Sequence, residues 1–380
     1  MTDAIPEIAK GLAGVNADYS KISKVFDETN TLTYFGYPVQ ELAERCRFEE
    51  VAYLLWHGEL PTQAQLKDFE SSERKNRNLS DKMMTVLRQF RKDAHPMDTL
   101  RTAISFLGAE DPAWEDASPA ANLEKSIKMM AKIPTIIAAD CRLRAGKEPI
   151  APRTDLSFSE NFFHMYFGEV PDQKVVRCFD ASLTFYAEHG FNASTFAGRV
   201  ITSTLSDIYS AVTGAIGALK GPLHGGANEA VMHMLLEIKE PVSAQKWIDD
   251  ALASKRLMMG FGHRVYKNGD SRVPHMTKYF HDMAKIKGGE KWVEIENILA
   301  KTMLEKKNIH PNLDYPVGPA YYLMGFDIPV FTPIFVMSRI TGWTAHVMEQ
   351  LIGNKIMRPL SVYNGLPQRP VPPMEKRRAA

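Results

Sequence analysis

The sequence predicts an all-α protein of enzyme size. Apolar residues recur at helical spacing through almost the whole chain, and capping residues punctuate those stretches. No strand–helix–strand alternation and no internal repeat interrupts them. With 380 residues the chain can bury a large core, and length alone suggests two domains. A net charge of +1 leaves no nucleic-acid footprint. Cys46, Cys141 and Cys178 lie far apart with no metal-type spacing, so reduced thiols are expected. The apolar run Ile133–Ala139 is interrupted by Pro134 and flanked by Lys132 and Asp140, too short to cross a bilayer. Met1–Pro6 lacks the basic and apolar parts of a signal peptide. The expected location is the cytoplasm.

In chain order, Ile22–Val25 and Thr31–Tyr34 flank Asp27–Asn30 as one small hairpin. Helical stripes follow over Val39–Cys46 and Phe48–Trp56, the second ended by His57-Gly58. Thr62 with Gln65 forms a capping box that opens the next helix. Ser80 caps Asp81–Phe90, and Asp98 caps Thr99–Leu107 before Gly108. Ser118-Pro119 starts a long helix to Arg144, bent at Pro134 and closed by Gly146. Pro149–Asp155 is a polar linker. Helices are then expected over Ser159–Phe167, Asp172–Ala187, Ser194–Ser206, Asp207–Leu219 and Ala227–Ile238. The same pattern continues over Ser243–Lys255, Pro274–Lys285, Trp292–Lys307, Ala320–Met324 and Thr332–Gln350. The proline-rich, basic tail Pro367–Ala380 is expected to be disordered or to wrap a partner. Gly221-Pro222 and Phe326–Pro329 bracket a segment of about a hundred residues, a candidate smaller domain inserted into a larger one and able to close over it. The small residues Ala211, Gly214, Ala215 and Ala218 suit either a tight core or a subunit interface.

Polar groups in apolar or glycine-rich settings mark the candidate site. In GPLHGGAN (Gly221–Asn228), His224 stands beside a predicted helix N-terminus, whose partial positive charge disfavours imidazolium. A neutral histidine there can donate to an oxygen gaining negative charge. The two glycines leave bare backbone for close approach of a ligand. AEHGFNASTF (Ala187–Phe196) holds His189 at a helix join. Met258–Lys267 presents His263 between glycine-rich turns, with Arg272 nine residues on. Pro311–Pro316 lodges Asp314 among apolar neighbours, and Arg339 and Arg358 sit in apolar surroundings. Arginine forks match carboxylates. Two histidines and one carboxylate suit carbonyl enolisation: one base and two donors to developing oxyanions.

GPLHGGAN, GFGHRVYK…SR and PNLD, in that order, resemble the citrate synthase family over essentially the whole chain. AEHGFNASTF, HPMDTLRT and KIMRPLS are similar to its short bacterial form, in particular the group holding 2-methylcitrate synthases and dual-substrate citrate synthases. The resemblance implies a helical large domain (1–221 and 327–380) and a small, closing domain (222–326). It implies condensation of oxaloacetate with acetyl-CoA or propionyl-CoA, without metal or redox cofactor. Asp314 would take the α-proton of the thioester, His224 would stabilise the enol, and His263 would polarise the ketone. His189, Arg272 and Arg339 would bind oxaloacetate. Arg358 would do so from a second subunit, which requires a homodimer. Leu257, Met258, Met259, Gly260 and Phe261 would cradle the CoA adenine, with Lys267 a phosphate contact. Ser271 stands where many relatives carry proline, which implies a less rigid loop. Tyr315–Gly318 departs from the common run after the aspartate, which puts acyl-chain preference in question if those residues line the pocket. Two other classes compete: a non-catalytic acyl-CoA sensor, and a His/Asp metallohydrolase, which no HExxH-like spacing supports.

Overall fold

The computed structural model describes residues 8–266 and 268–377. A three-stranded antiparallel ribbon comes first: β1 (Ser23–Phe26), β2 (Thr31–Tyr34) and β3 (Tyr37–Pro38). Ser23 pairs with Tyr34 and Phe26 with Thr31, so the expected hairpin is found within one residue. Sixteen helices follow among the described residues. The first ten are α1 (Val39–Arg45), α2 (Phe48–His57), α3 (Gln63–Lys75), α4 (Asp81–Arg88), α5 (Pro96–Glu110), α6 (Pro119–Arg144), α7 (Phe158–Phe167), α8 (Gln173–Tyr186), α9 (Ala193–Ser203) and α10 (Ile208–Leu219). The remainder are α11 (Ala227–Ile238), α12 (Pro241–Ala253), α13 (Val273–Lys287), α14 (Glu290–Lys307), α15 (Asp314–Met324) and α16 (Phe331–Ile352). The all-α expectation holds.

Capping chemistry fixes many of the boundaries. Thr62 closes its capping box with Gln65. Ser80, Ser118, Asp172, Asn192 and Asp207 each accept from a backbone N–H in the first turn of the following helix. Such a cap contributes roughly 1 kcal/mol. Asp98 behaves otherwise. His95 is the cap, accepting from the Met97 N–H at 3.2 Å, and Pro96 opens α5 where no amide donor is needed. Asp98 stands in the first turn and pairs with Lys220 at 2.7 Å. Gly108 does not stop α5 either. It lets Tyr209 pack so closely that a Cβ here would lie 2.8 Å from the Tyr209 Cβ. Helix α6 carries on through Pro134.

The larger correction is α15. Helix was expected only from Ala320, yet the helix begins at Asp314, ahead of Pro316 and Pro319. Pro316 falls in the first turn, where amide hydrogens have no helical partner, so only Pro319 forfeits a ladder bond.

Helix α16 runs through the centre. It is apolar on nearly every face, the pattern of a fully buried helix, and Ile334, Val336, Met337 and Ile340 have no exposed surface. Burying each such side chain contributes about 1.5–3 kcal/mol. Around it pack α6, α8, α9 and α10. The small residues of α10 serve this packing: a Cβ on Gly214 would lie 2.2 Å from Ile201 of α9. Helices α11–α15 pack on one another and reach the rest mainly through α8 and α16. The linker before α7 is pinned by Arg77, which pairs with Glu73 and donates to the carbonyls of Arg153 and Leu156. The three cysteines are free. No described helix is long and apolar enough to cross a membrane.

Candidate active site

One open cleft of about 700 Å³ lies between α8, α9, α16 and the loops of the segment 222–326. His189, His224, His263, Arg272, Asp314 and Arg339 all line it, as do Leu257, Met258, Met259, Gly260 and Phe261. Residues separated by up to 150 positions thus meet on one space. Arg358 does not join them. It is exposed on the extended tail, which Met357 anchors through its N–H to Ser203 Oγ at 3.0 Å. Lys267 lies outside the described residues, as do the last three residues of the tail.

The loops owe their course to two tight places. Gly260 and Gly262 adopt φ of +80° and +81°, which side-chain-bearing residues rarely do. Between them Phe261 bridges to Pro311, while Asn312 donates its N–H to Gly260 O at 2.9 Å and Nδ2 to Gly262 O at 2.9 Å. The loop of His263 and the loop of Asp314 are therefore one unit. At the other place, Gly225 turns the chain after His224. A Cβ there would lie 2.5 Å from Leu219 Cγ and 2.6 Å from its carbonyl oxygen. This corrects the expectation that both glycines expose backbone to ligand: Gly225 serves packing, and neither glycine lines the cleft.

Both imidazoles are neutral with a defined tautomer. His224 stands three residues before α11. Its Nε2 accepts from the Ser194 N–H at 3.3 Å, with Ser194 Oγ at 2.8 Å. An accepting Nε2 puts the proton on Nδ1. His263 is reversed: Nδ1 accepts from the Val265 and Tyr266 N–H groups at 3.0 and 3.4 Å, so Nε2 carries the proton. Burial, with Arg339 adding to it, pushes His224 down to about 4. Burial and then Arg272 do the same to His263, also about 4. His189, its ring tilted against that of His263 at 4.8 Å between centroids and its Nε2 3.2 Å from Tyr266 Oη, is held well below its usual value, first by burial and then by Arg272.

Asp314 is the first residue of α15. Burial pushes its carboxyl up to about 6, against the hydrogen bond from Tyr186 Oη at 2.6 Å and the nearby Arg272 and Arg339. A carboxylate of this kind is a stronger base than a solvated one. The arginines differ. Arg272 spends Nε and Nη2 on Asp270 at 2.9 and 2.7 Å and Nη1 on Phe185 O at 3.2 Å, leaving two of its five N–H donors. Arg339 is buried over the Phe335 ring at 4.7 Å and gives one bond, Nε to Tyr186 O at 2.5 Å. No carboxylate among the described residues pairs with it, and burial brings it down to about 10. The Glu188 carboxylate works against that fall without bonding to the guanidinium, and the remaining N–H groups of Arg339 suit an anion.

Several contributors carried no signal readable from local sequence. Ser194 and Asn228 lie inside the quoted stretches and Tyr186 directly before one, but nothing in their spacing assigns a role. The hairpin forms the back of the site: Tyr34 Oη donates to the carbonyls of Thr184 and Glu188, both at 3.0 Å, and Ser23 Oγ to Glu188 at 2.9 Å. Ser271 bonds within its surroundings: Oγ donates to Tyr266 Oη at 3.3 Å and accepts from the Leu32 N–H at 3.4 Å. Tyr315–Gly318 do not line the cleft. They are buried where α15 packs on α11 and α13, with Tyr315 Oη donating to Glu296 O of α14 at 2.9 Å. Among the described residues, no group of three or more His, Cys, Asp or Glu is placed to hold a metal ion.

A raised carboxylate facing two neutral, singly protonated imidazoles in an arginine-bearing cleft defines an enzyme site suited to enolising a carbonyl carbon acid. A family model described as citrate synthase, C-terminal domain, matches residues 11–360, and the chain belongs to the citrate synthase family. It is 59% identical over 370 residues to a 2-methylcitrate synthase of Mycobacterium tuberculosis, covering 97% of this chain and 94% of that one. It is 58% identical over 364 residues to a citrate synthase of Mycolicibacterium smegmatis, with 96% and 97% covered. A citrate synthase of Thermoplasma acidophilum, solved as a ternary complex with carboxymethyl coenzyme A and oxaloacetate, superposes with a TM-score of 0.90 at 31% identity, covering 98% of this chain and all of that one. This chain is accordingly an enzyme that transfers an acyl group in a condensation.

Proposed function

We propose that the protein condenses oxaloacetate with a short-chain acyl-CoA and hydrolyses the resulting thioester, giving citrate from acetyl-CoA and 2-methylcitrate from propionyl-CoA. The observation that carries this is the convergence of Asp314, His224 and His263 on one cleft. Asp314 takes the α-proton, while His224 Nδ1–H donates to the thioester oxygen and holds the enol. The enol carbon attacks the oxaloacetate ketone, whose oxygen receives a hydrogen bond from His263 Nε2–H and is protonated to the hydroxyl. Water then cleaves the thioester and CoA leaves as the thiol. Arg339, Arg272 and His189 receive the oxaloacetate carboxylates, joined by Arg358 of a second subunit in a homodimer. Leu257–Phe261 take the CoA adenine. The segment 222–326 closes as a small domain on a large domain of 1–221 and 327–380, excluding water from the enol. No cofactor enters these steps. A chain with no membrane-crossing helix among its described residues suits work in the cytoplasm.

The test is kcat/KM for acetyl-CoA and propionyl-CoA side by side, at saturating oxaloacetate, following release of the CoA thiol. We expect turnover of both, within the roughly 10–200-fold that one methylene can discriminate. Absence of thiol release with either thioester overturns the reading.

A further inference from the structure

We propose that Tyr186 is the positioning residue of the base: its hydroxyl fixes one carboxylate oxygen of Asp314 and leaves the other to receive the proton. This rests on the function proposed above and deepens it. Tyr186 Oη donates to Asp314 Oδ1 at 2.6 Å, and no other described residue donates to that oxygen. Oδ2 accepts no bond from any described residue and is left to the cleft that Asp314 lines. The phenol is itself fixed. Its ring stacks on Phe335 at 4.0 Å, and its oxygen makes a long contact at 3.5 Å with Asn228 Nδ2, from the first turn of the helix that follows His224.

Tyr186 also ties the base to the anion site. Its backbone carbonyl accepts the one bond that Arg339 gives to the protein. The side chain thus orients Asp314 while the main chain of the same residue orients the buried guanidinium. A displacement of α8 moves both together.

The hydroxyl sets the strength of the base as well as its direction. Burial raises the Asp314 carboxyl and the phenol donor works against that rise. The other groups facing the carboxylate are Arg272 and Arg339, which favour its charged form, and Asp270, which opposes it. The α15 N-terminus also favours the charge, His224 and His263 line the same cleft, and Tyr321 faces Tyr186 from behind. Burial and the adjacent carboxylate hold the Tyr186 phenol well above its usual value, so it stays a donor across the working pH range.

The experiment is the pH profile of kcat, at saturating oxaloacetate, for wild type and Tyr186→Phe. Phenylalanine keeps the stack on Phe335 and the backbone bond to Arg339 and removes only the donor. We expect kcat to fall by about 10–100-fold, part of what general-base catalysis contributes. We expect the acid limb to move up by about one pH unit, because the charged carboxylate has lost a hydrogen bond. The KM for oxaloacetate should stay within about twofold. An acid limb in the same place as wild type overturns the proposal, whatever happens to kcat. Should Tyr186→Phe fold poorly, Tyr186→3,5-difluorotyrosine provides the same test in the opposite direction. The stronger donor should move the limb down, and an unmoved limb again overturns the proposal. Wild-type protein that releases no CoA thiol would defeat the proposed function instead, so the two failures are distinct.

Discussion

As the proposed base, Asp314 meets two opposed demands. It must be basic enough to take a proton from carbon, and it must be ionised at working pH to do so. A value of about 6 satisfies both. Activity should therefore be lost as pH falls through about 6, as the base becomes protonated. Stability moves the opposite way. The folded-state value lies above the ordinary 3.8, so burial of this carboxyl favours the folded protein fully below 3.8, and that contribution is lost as pH rises through about 6. Asp314→Asn removes the base and the titration together. We expect kcat to fall by at least roughly 10²–10⁴-fold, with a melting temperature at pH 8 equal to or above wild type. Wild-type-like turnover in this variant would refute the base assignment. Arg339 extends the same logic: burial disfavours its charge, Glu188 offsets part of that without a direct ion pair, and a bound anion would offset more.

At the scale of elements, the site is held by contacts between loops and helix ends. The turn after His224 has room for glycine alone, because the Leu219 carbonyl stands where a Cβ would go and the end of α10 cannot retreat without unpacking from α9. Gly225→Ala should cost about 1–3 kcal/mol, the range for overpacking a tight site. Because the strain falls next to His224, kcat should drop with it. Urea unfolding and turnover on the same preparation check this, and a fully stable, fully active variant would show that the turn yields. Local sequence made most elements legible through their period and caps. It missed the start of α15, where two prolines look like a helix break until the first is seen to fall in the first turn. It misplaced the start of α5, where Asp98 has a cap's chemistry but a distant partner in Lys220. It also gave no hint that the first hairpin stands behind His189 and Arg272, since that depends on contacts 150 or more residues apart.

On the scale of the whole molecule, Arg358 poses the remaining question. It is exposed and away from the cleft of its own chain. In a homodimer with shared sites, Arg358→Ala and Asp314→Asn subunits would each be nearly inactive alone, but a mixed dimer would hold one intact site. Random association makes half the dimers mixed, so activity should recover to about a quarter of wild type. Verified heterodimers that show no recovery would place Arg358 outside the partner's site.

The sequence by itself determined that the chain is helical, where most helices start, and which histidines, arginines and aspartate to look for around one cleft. Those properties follow from periods, caps and residue identity, all short in range. Only the tertiary structure decided which nitrogen of each imidazole keeps its proton, which arginine has no directly paired carboxylate, and which hydroxyl bonds Asp314. Ser194 reaches His224 across 30 residues and Tyr186 reaches Asp314 across 128. Protonation state and tautomer follow from burial and from such distant partners, so they exist only once the chain has closed around the cleft.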